Sequence, residues 1–276
     1  MKKIILLIVT MLGIVPILSA QTPVSQLPVI TISKSLDVHI LSPEPIQYAD
    51  ISTHSVAGDL PVKNILRIRL LPDSLKLFSG NQDIGIVTIA GESFIAQYRL
   101  RLAGSETDTS LRAQIGINPE DTRPLDFPGI SLTTPQMKSL ALGILKIKNN
   151  SIVRHNEAYG LKARLNHVYT AGGLVFLDIG FENQTNLPYT PDELRFKIED
   201  KKITKATNVQ SIELKPEWQL YPLAEFKRNF HNIYVLKKVT FPDNKVLHIE
   251  LSEKQVSGRT VTLTIKYGDL LHADTL

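Results

Sequence analysis

The strongest constraint on this fold is a one-for-one alternation of apolar and polar residues in short stretches. Between Asn64 and Leu71, residues Leu66, Ile68 and Leu70 fall on one face, with Arg67 and Arg69 on the other. From Glu92 to Arg101, Phe94, Ala96, Tyr98 and Leu100 oppose Gln97, Arg99 and Arg101. Near the end, Val261, Leu263, Ile265 and Tyr267 oppose Thr260, Thr262, Thr264 and Lys266. A period of two is the signature of a strand, because successive side chains point to opposite sides of a pleated backbone. Polar residues at every second position mean that one face stays wet, which antiparallel sheets allow and parallel sheets do not.

Further segments at 29–33, 36–41, 46–51 and 84–89 complete a first set of strands, and Gly91 marks a tight hairpin between 84–89 and 92–101. A second set follows at 161–169, 174–181, 194–198, 209–214, 232–241, 246–251 and 260–267. About seven strands in roughly 110 residues is the arithmetic of a β-sandwich. Between the sets, 103–131 is polar and interrupted by Pro119, Pro124, Pro128 and Gly129, so it reads as a linker. One helix stands out at about 134–149. Thr133 or Thr134 caps it, Pro135 suits its first turn, and Met137, Leu140, Ala141, Ile144 and Leu145 form one apolar stripe. The favoured reading is a helix packed on its own sheet rather than one that binds a partner. The expected fold is therefore mainly β: two antiparallel β-sandwich-like domains joined by a linker with one amphipathic helix. The expected bounds are 1–20 for a signal peptide, 21–103 for the N-terminal β-domain, 104–158 for linker plus helix, and 159–276 for the C-terminal β-sandwich domain.

The signal-peptide expectation rests on Lys2 and Lys3, a short apolar run from Ile4 to Leu18 broken by Pro16, and the small residues Ser19 and Ala20. Cleavage after Ala20 would export the chain to the periplasm. It would also remove two of the 31 basic residues and none of the 27 acidic ones, lowering the formal net charge from +4 to +2. So small an excess, with no basic run, argues against nucleic-acid binding, which needs clustered cations. The best candidate patch is Arg67, Arg69, Arg99 and Arg101 on adjacent expected strands, and a solvated sheet face is the favoured reading of it.

Little in the chain points to catalysis. There is no cysteine, which removes thiolate metal sites, disulfides and cysteine nucleophiles. The histidines 39, 54, 155, 167, 231, 248 and 272 fall in no metal-ligand spacing. No nucleophile elbow, phosphate loop or dinucleotide fingerprint is present. Acidic pairs occur at Glu120–Asp121, Asp192–Glu193 and Glu199–Asp200, but Trp218 is the one tryptophan, which is poor provision for a sugar cleft. The expectation is no catalytic residue, no cofactor and no metal.

Several runs, in order along 29–272, resemble the TraN family of Bacteroides-type conjugative transposons. They are PEPIQYADIS at 43–52, NILRIRL at 64–70, IVTIAGESFIAQY at 86–98, GFENQTNLPYT at 180–190, LRFKI at 194–198 and EKQVSGR at 253–259. The matching positions are Pro43, Pro45, Tyr48, Asp50, Asn64, Asn183, Tyr189, Phe196, Glu253, Lys254, Gly258 and Arg259. The chain departs from the pattern at the hairpin turn, with Ala90-Gly91 in place of Asp-Gly, and at 204–210, which lacks an adjacent Lys-Arg pair. The resemblance implies a non-enzymatic subunit of a conjugative, type IV secretion-like channel, peripheral to the membrane in an outer-membrane complex. Its partners would be other conjugation (Tra) proteins, in a hetero- and homo-oligomeric ring, without direct nucleic-acid contact. The alternative is a periplasmic or surface β-sandwich module that binds a glycan or peptide.

Overall fold

The structure, a computed structural model, describes residues 22–72, 78–147, 152–201, 211–255 and 258–276. The expected signal peptide, the helix end at 148–149 and the strand start at 209–210 lie outside the described residues. No described helix is long and apolar enough to cross a membrane. The chain divides into two compact units, Met1–Pro128 and Gly129–Leu276.

The first unit contains β1 (Val29–Ile32), β2 (Val38–Leu41), β3 (Tyr48–Ile51), β4 (Val56–Val62), β5 (Ile65–Leu70), β6 (Asp83–Ala90), β7 (Phe94–Leu102), β8 (Gln114–Gly116) and β9 (Thr122–Pro124). One sheet runs β1-β7-β6-β3 with β9 also beside β7; the other runs β4-β5-β2-β8. Their inner faces share one core, with Ile30, Val87, Ile89, Tyr98 and Leu100 from the first sheet and Val38, Ile40, Leu66 and Ile68 from the second. The alternation in β7 is realised residue by residue: Phe94, Ala96, Tyr98 and Leu100 are buried and the residues between them half-buried. The expected hairpin is present, closed by the Gly91 amide donating to the Phe94 carbonyl at 2.9 Å.

Two features differ from the sequence reading. Strand β4 was invisible because Gly58, Asp59 and Pro61 hide it. Among the described residues it pairs with β5 alone, and it is exposed over most of its length, the setting where a strand tolerates a proline without an N–H. The stretch read as linker, 103–131, instead supplies β8 to β2 in parallel and β9 to β7. These strands have three residues each, too short to show a period. The first unit therefore runs past 103 to Pro128.

The second unit opens with helix α1 (Thr134–Ile144) and continues with β10 (Arg154–Ala158), β11 (Leu161–Ala171), β12 (Leu174–Asn183), β13 (Pro191–Asp200), β14 (Ile212–Leu214), β15 (Trp218–Gln219), β16 (Asn229–Lys237), β17 (Lys245–Glu253), β18 (Thr260–Lys266), α2 (Tyr267–Leu271) and β19 (Asp274–Thr275). One sheet runs β10-β11-β12-β16-β15 with β19 beside β11; the other runs β14-β13-β17-β18. Leu165, Leu177 and Ile179 from the first meet Phe196, Ile249 and Leu263 from the second in a common core.

The opposite face of the first sheet is covered as well. Met137, Ala141 and Ile144 of α1 pack on Tyr169, Phe176, Ile233 and Val235. The helix is thus packed on its own sheet, as its stripe implied. Its start is fixed by a capping box, in which the Thr133 amide donates to Gln136 Oε1 at 2.8 Å and the Gln136 amide donates back to Thr133 Oγ1 at 3.4 Å. It ends at Ile144, sooner than the stripe suggested. Three further differences follow from local sequence. Strand β10 lacks apolar alternation, so the stretch read as linker up to 158 already holds a strand of the sandwich. Strand β15 has two residues. Tyr267 opens α2 instead of closing β18, because Asp269 Oδ2 accepts the Lys266 amide at 2.9 Å and starts a turn there.

Phe176, fully buried between helix and sheet, tests this two-sided packing. Phe176→Ala is expected to cost about 3–5 kcal/mol in urea unfolding of the full-length chain. A loss below about 1 kcal/mol would mean that the helix does not seal that face.

Candidate functional site

The positions singled out in the second half of the sequence converge at one end of the second sandwich. Asn183 ends β12, Tyr189 lies in the loop before β13, Glu253 ends β17, and Gly258 and Arg259 precede β18. The Arg259 guanidinium donates from Nε and Nη2 to the two Glu253 carboxylate oxygens at 2.9 and 2.7 Å, a bidentate pair. Nη1 reaches Thr185 Oγ1 at 2.9 Å, and Nη2 also reaches the Pro188 carbonyl at 3.2 Å. The guanidinium carbon sits 5.1 Å from the centre of the Tyr189 ring, in cation–π range. The Tyr189 hydroxyl donates to the Arg259 carbonyl at 2.9 Å, closing the circuit.

Asn183 holds the other side of this loop. Its Nδ2 donates to the carbonyls of Leu187 at 2.6 Å and Lys227 at 3.1 Å, while its Oδ1 accepts from the Thr185 amide at 3.1 Å and hydroxyl at 2.7 Å. Gly258 is required by close approach, since a Cβ there would stand 2.6 Å from the Glu253 carbonyl oxygen. The Lys254 amide donates to the Thr190 carbonyl at 2.9 Å, and its side chain is exposed. Phe196 stands apart, buried in the core with its ring 5.4 Å from that of Tyr234.

The electrostatics follow from burial. The Glu253 side chain is 8% exposed and that of Arg259 18%, so neither charge is well hydrated and each depends on the other. Hydrogen bonds from Arg259 hold the Glu253 carboxyl below its usual range. The same pair raises Arg259 further, and burial pushes the Tyr189 phenol up. Every polar group named is engaged by another part of the chain. The arrangement fixes three chain segments against one another; it presents no activated nucleophile.

The first-half positions gather differently. Pro43 is exposed and Pro45 half-buried, while Tyr48 and Asp50 point outward from β3, the last strand of its sheet. Asn64 contributes its carbonyl, which accepts the Ser42 amide at 2.9 Å. The residue that sequence reasoning missed is Glu44, between the two prolines. It is 4% exposed, and its Oε1 accepts from the Ser93 amide at 2.9 Å and the Ser93 hydroxyl at 2.8 Å. It thereby caps the β6–β7 turn. A Cβ on Gly91 would meet the Phe94 ring at 2.6 Å and Glu44 Oε1 at 2.9 Å, so the packing around the turn favours glycine there. An acid flanked by prolines was the one available signal, and its partner lies 49 residues away.

The arginine patch dissolves. Arg67 and Arg69 lie on β5 in one sheet, while Arg99 and Arg101 lie on β7 in the other, so the strands are not adjacent. Arg67 pairs with Asp59 at 2.8 Å, and Arg99 and Arg101 share Asp83 at 2.9 and 2.8 Å. Three histidines are matched singly with carboxylates: His167 with Asp274 at 2.6 Å, His231 with Asp178 at 2.5 Å and His248 with Glu199 at 3.0 Å. Among the described residues no three His, Cys, Asp or Glu side chains come together as a metal site.

The second unit thus defines a class: a β-sandwich domain with one sheet face sealed by a helix and a charged clamp at one end. The chain belongs to the family of the domain of unknown function DUF4138, whose pattern matches residues 135–275, from the first turn of α1 to the last strand. This domain family is found in conjugative transposon proteins. No curated protein matches the chain.

Two predictions test the clamp. Arg259→Met leaves a buried carboxylate without its partner and is expected to cost about 3–5 kcal/mol in chemical unfolding. The second concerns acid. Because the folded Glu253 pKa is depressed, its contribution is full above the ordinary carboxyl value of about 4.3 and is lost as pH falls through the lower folded value. Melting temperature measured from pH 7 downward should therefore fall less steeply at the acid end in Glu253→Gln than in the parent. Parallel curves would remove Glu253 from the account.

Proposed function

We propose that this protein is a non-enzymatic structural subunit of a conjugative transfer apparatus, a type IV secretion-like envelope complex, and acts in DNA transfer between bacterial cells. The observation that carries the reading is membership, through 135–275, of a domain family found in conjugative transposon proteins. The clamp supports it, because its charged groups are spent on holding loops in place. In this reading the chain is exported by its first twenty residues, is peripheral to the outer membrane, and works through contacts with other conjugation proteins and further copies of itself in a ring. DNA passes without touching it, which fits the pairing of Arg67, Arg99 and Arg101 with carboxylates.

Deletion of the gene from its native host is expected to abolish conjugal transfer while growth stays normal, with recovery on complementation. Unchanged transfer frequency would overturn the assignment and leave the glycan- or peptide-binding module as the reading to pursue.

A further inference from the structure

In the second sandwich, β10 runs along β18 and joins the two sheets on that side, where Asn156 Nδ2 donates to the Thr262 carbonyl at 2.8 Å. On the other side the edges are β14 and β15, and both are short. A groove of about 500 Å³ opens there. Its rim is acidic: Asp192, Glu193 and Glu213 line it against the single base Arg195, which is itself paired with Glu193 at 2.5 Å. Its floor includes Phe196 and Tyr234, both at most 1% exposed.

Three independent features mark this groove as built to receive something. The Tyr234 hydroxyl is buried with no hydrogen-bond partner among the described residues, a costly state for a polar group. Burial pushes this phenol up to about 12, so it remains a proton donor, and the nearby Asn232 amide only partly offsets that rise. Second, the register of β13 against β17 breaks between Pro191 and Leu194, a bulge that places Asp192 and Glu193 at the rim outside the regular ladder. Third, β13 pairs with β14 only over Phe196–Ile198. Before Phe196, the β14-side edge of β13 has no strand beside it among the described residues.

We propose that this groove binds an extended, lysine- or arginine-bearing segment of a partner protein. The segment adds main-chain hydrogen bonds along the open edge of β13, which is strand addition. Its basic side chain lies between Asp192 or Glu193 and Glu213, and its apolar side chains cover the floor above Phe196. A carbonyl on the segment, or a water it carries in, accepts a hydrogen bond from the Tyr234 hydroxyl. Charge complementarity selects this occupant, since the rim carries three carboxylates and one guanidinium. The inference does not rest on the role in conjugation.

Binding is read by isothermal titration calorimetry, because Trp218, the chain's single tryptophan, packs on the helix-side core and not on the groove. The full-length chain would be titrated with two acetylated, amidated hexapeptides of alternating valine, one carrying lysine and the other glutamate. The expected result is saturable binding of the lysine peptide and none of the glutamate peptide. The double variant Asp192→Asn/Glu213→Gln, changed only at exposed rim positions, should bind about tenfold more weakly. Tyr234→Phe should also weaken binding while leaving the melting temperature unchanged or higher, because it deletes a hydroxyl that is unsatisfied in the free protein. Equal binding of both peptides, binding of neither, or undiminished binding by the double variant would overturn the proposal. So would a Tyr234→Phe protein that loses stability instead of affinity. None of these results bears on whether the gene is needed for transfer, so the two readings fail separately.

Discussion

The second unit depends on the burial of β12 from both sides. Eight consecutive residues, Leu174 to Phe181, are buried, which an isolated two-sheet sandwich with a wet outer face does not produce. Leu177 and Ile179 enter the sandwich core, while Leu174 and Phe176 meet the helix. A sheet with two apolar faces is unstable in water until both are covered. That is why α1 belongs to the domain rather than to a connector, and why the family pattern begins at residue 135, inside the helix, rather than at the first strand.

Around that apolar framework each unit uses a buried acid to fix a turn. Glu253 is answered by a guanidinium, and Glu44 by an amide and a hydroxyl of the β6–β7 turn. Burying a carboxylate is unfavourable unless it is hydrogen-bonded, so each turn is tied to a single geometry. The departure at Ala90 in the hairpin has a direct account here: Ala90 is buried, where an aspartate would lose its hydration. These contacts give the sandwich ends definite shapes.

Polar order is less complete at the β14–β15 side of the second sandwich. The clamp end satisfies its charges internally, whereas among the described residues the groove keeps an acidic rim, an open strand edge and an unanswered phenol. Rigid elements surround that opening, with β13, β16 and β17 all running through the core. A site on strands keeps its geometry better than one on loops.

By itself the sequence determined the class and most of the elements. Alternation in β5, β7 and β18 named the buried residues correctly, because a period of two is a local property of an extended backbone. The helix stripe likewise announced which side of α1 would be buried. What only the tertiary structure decided were the pairings between distant segments. The parallel joining of β8 to β2, the capping of a turn by Glu44, and the placement of Arg67 and Arg99 on separate sheets all depend on which residues far apart in the chain become neighbours. Exposed strands such as β4 and β10 were illegible for the same reason: main-chain hydrogen bonds to a partner strand hold them, and those bonds leave little imprint on side-chain type.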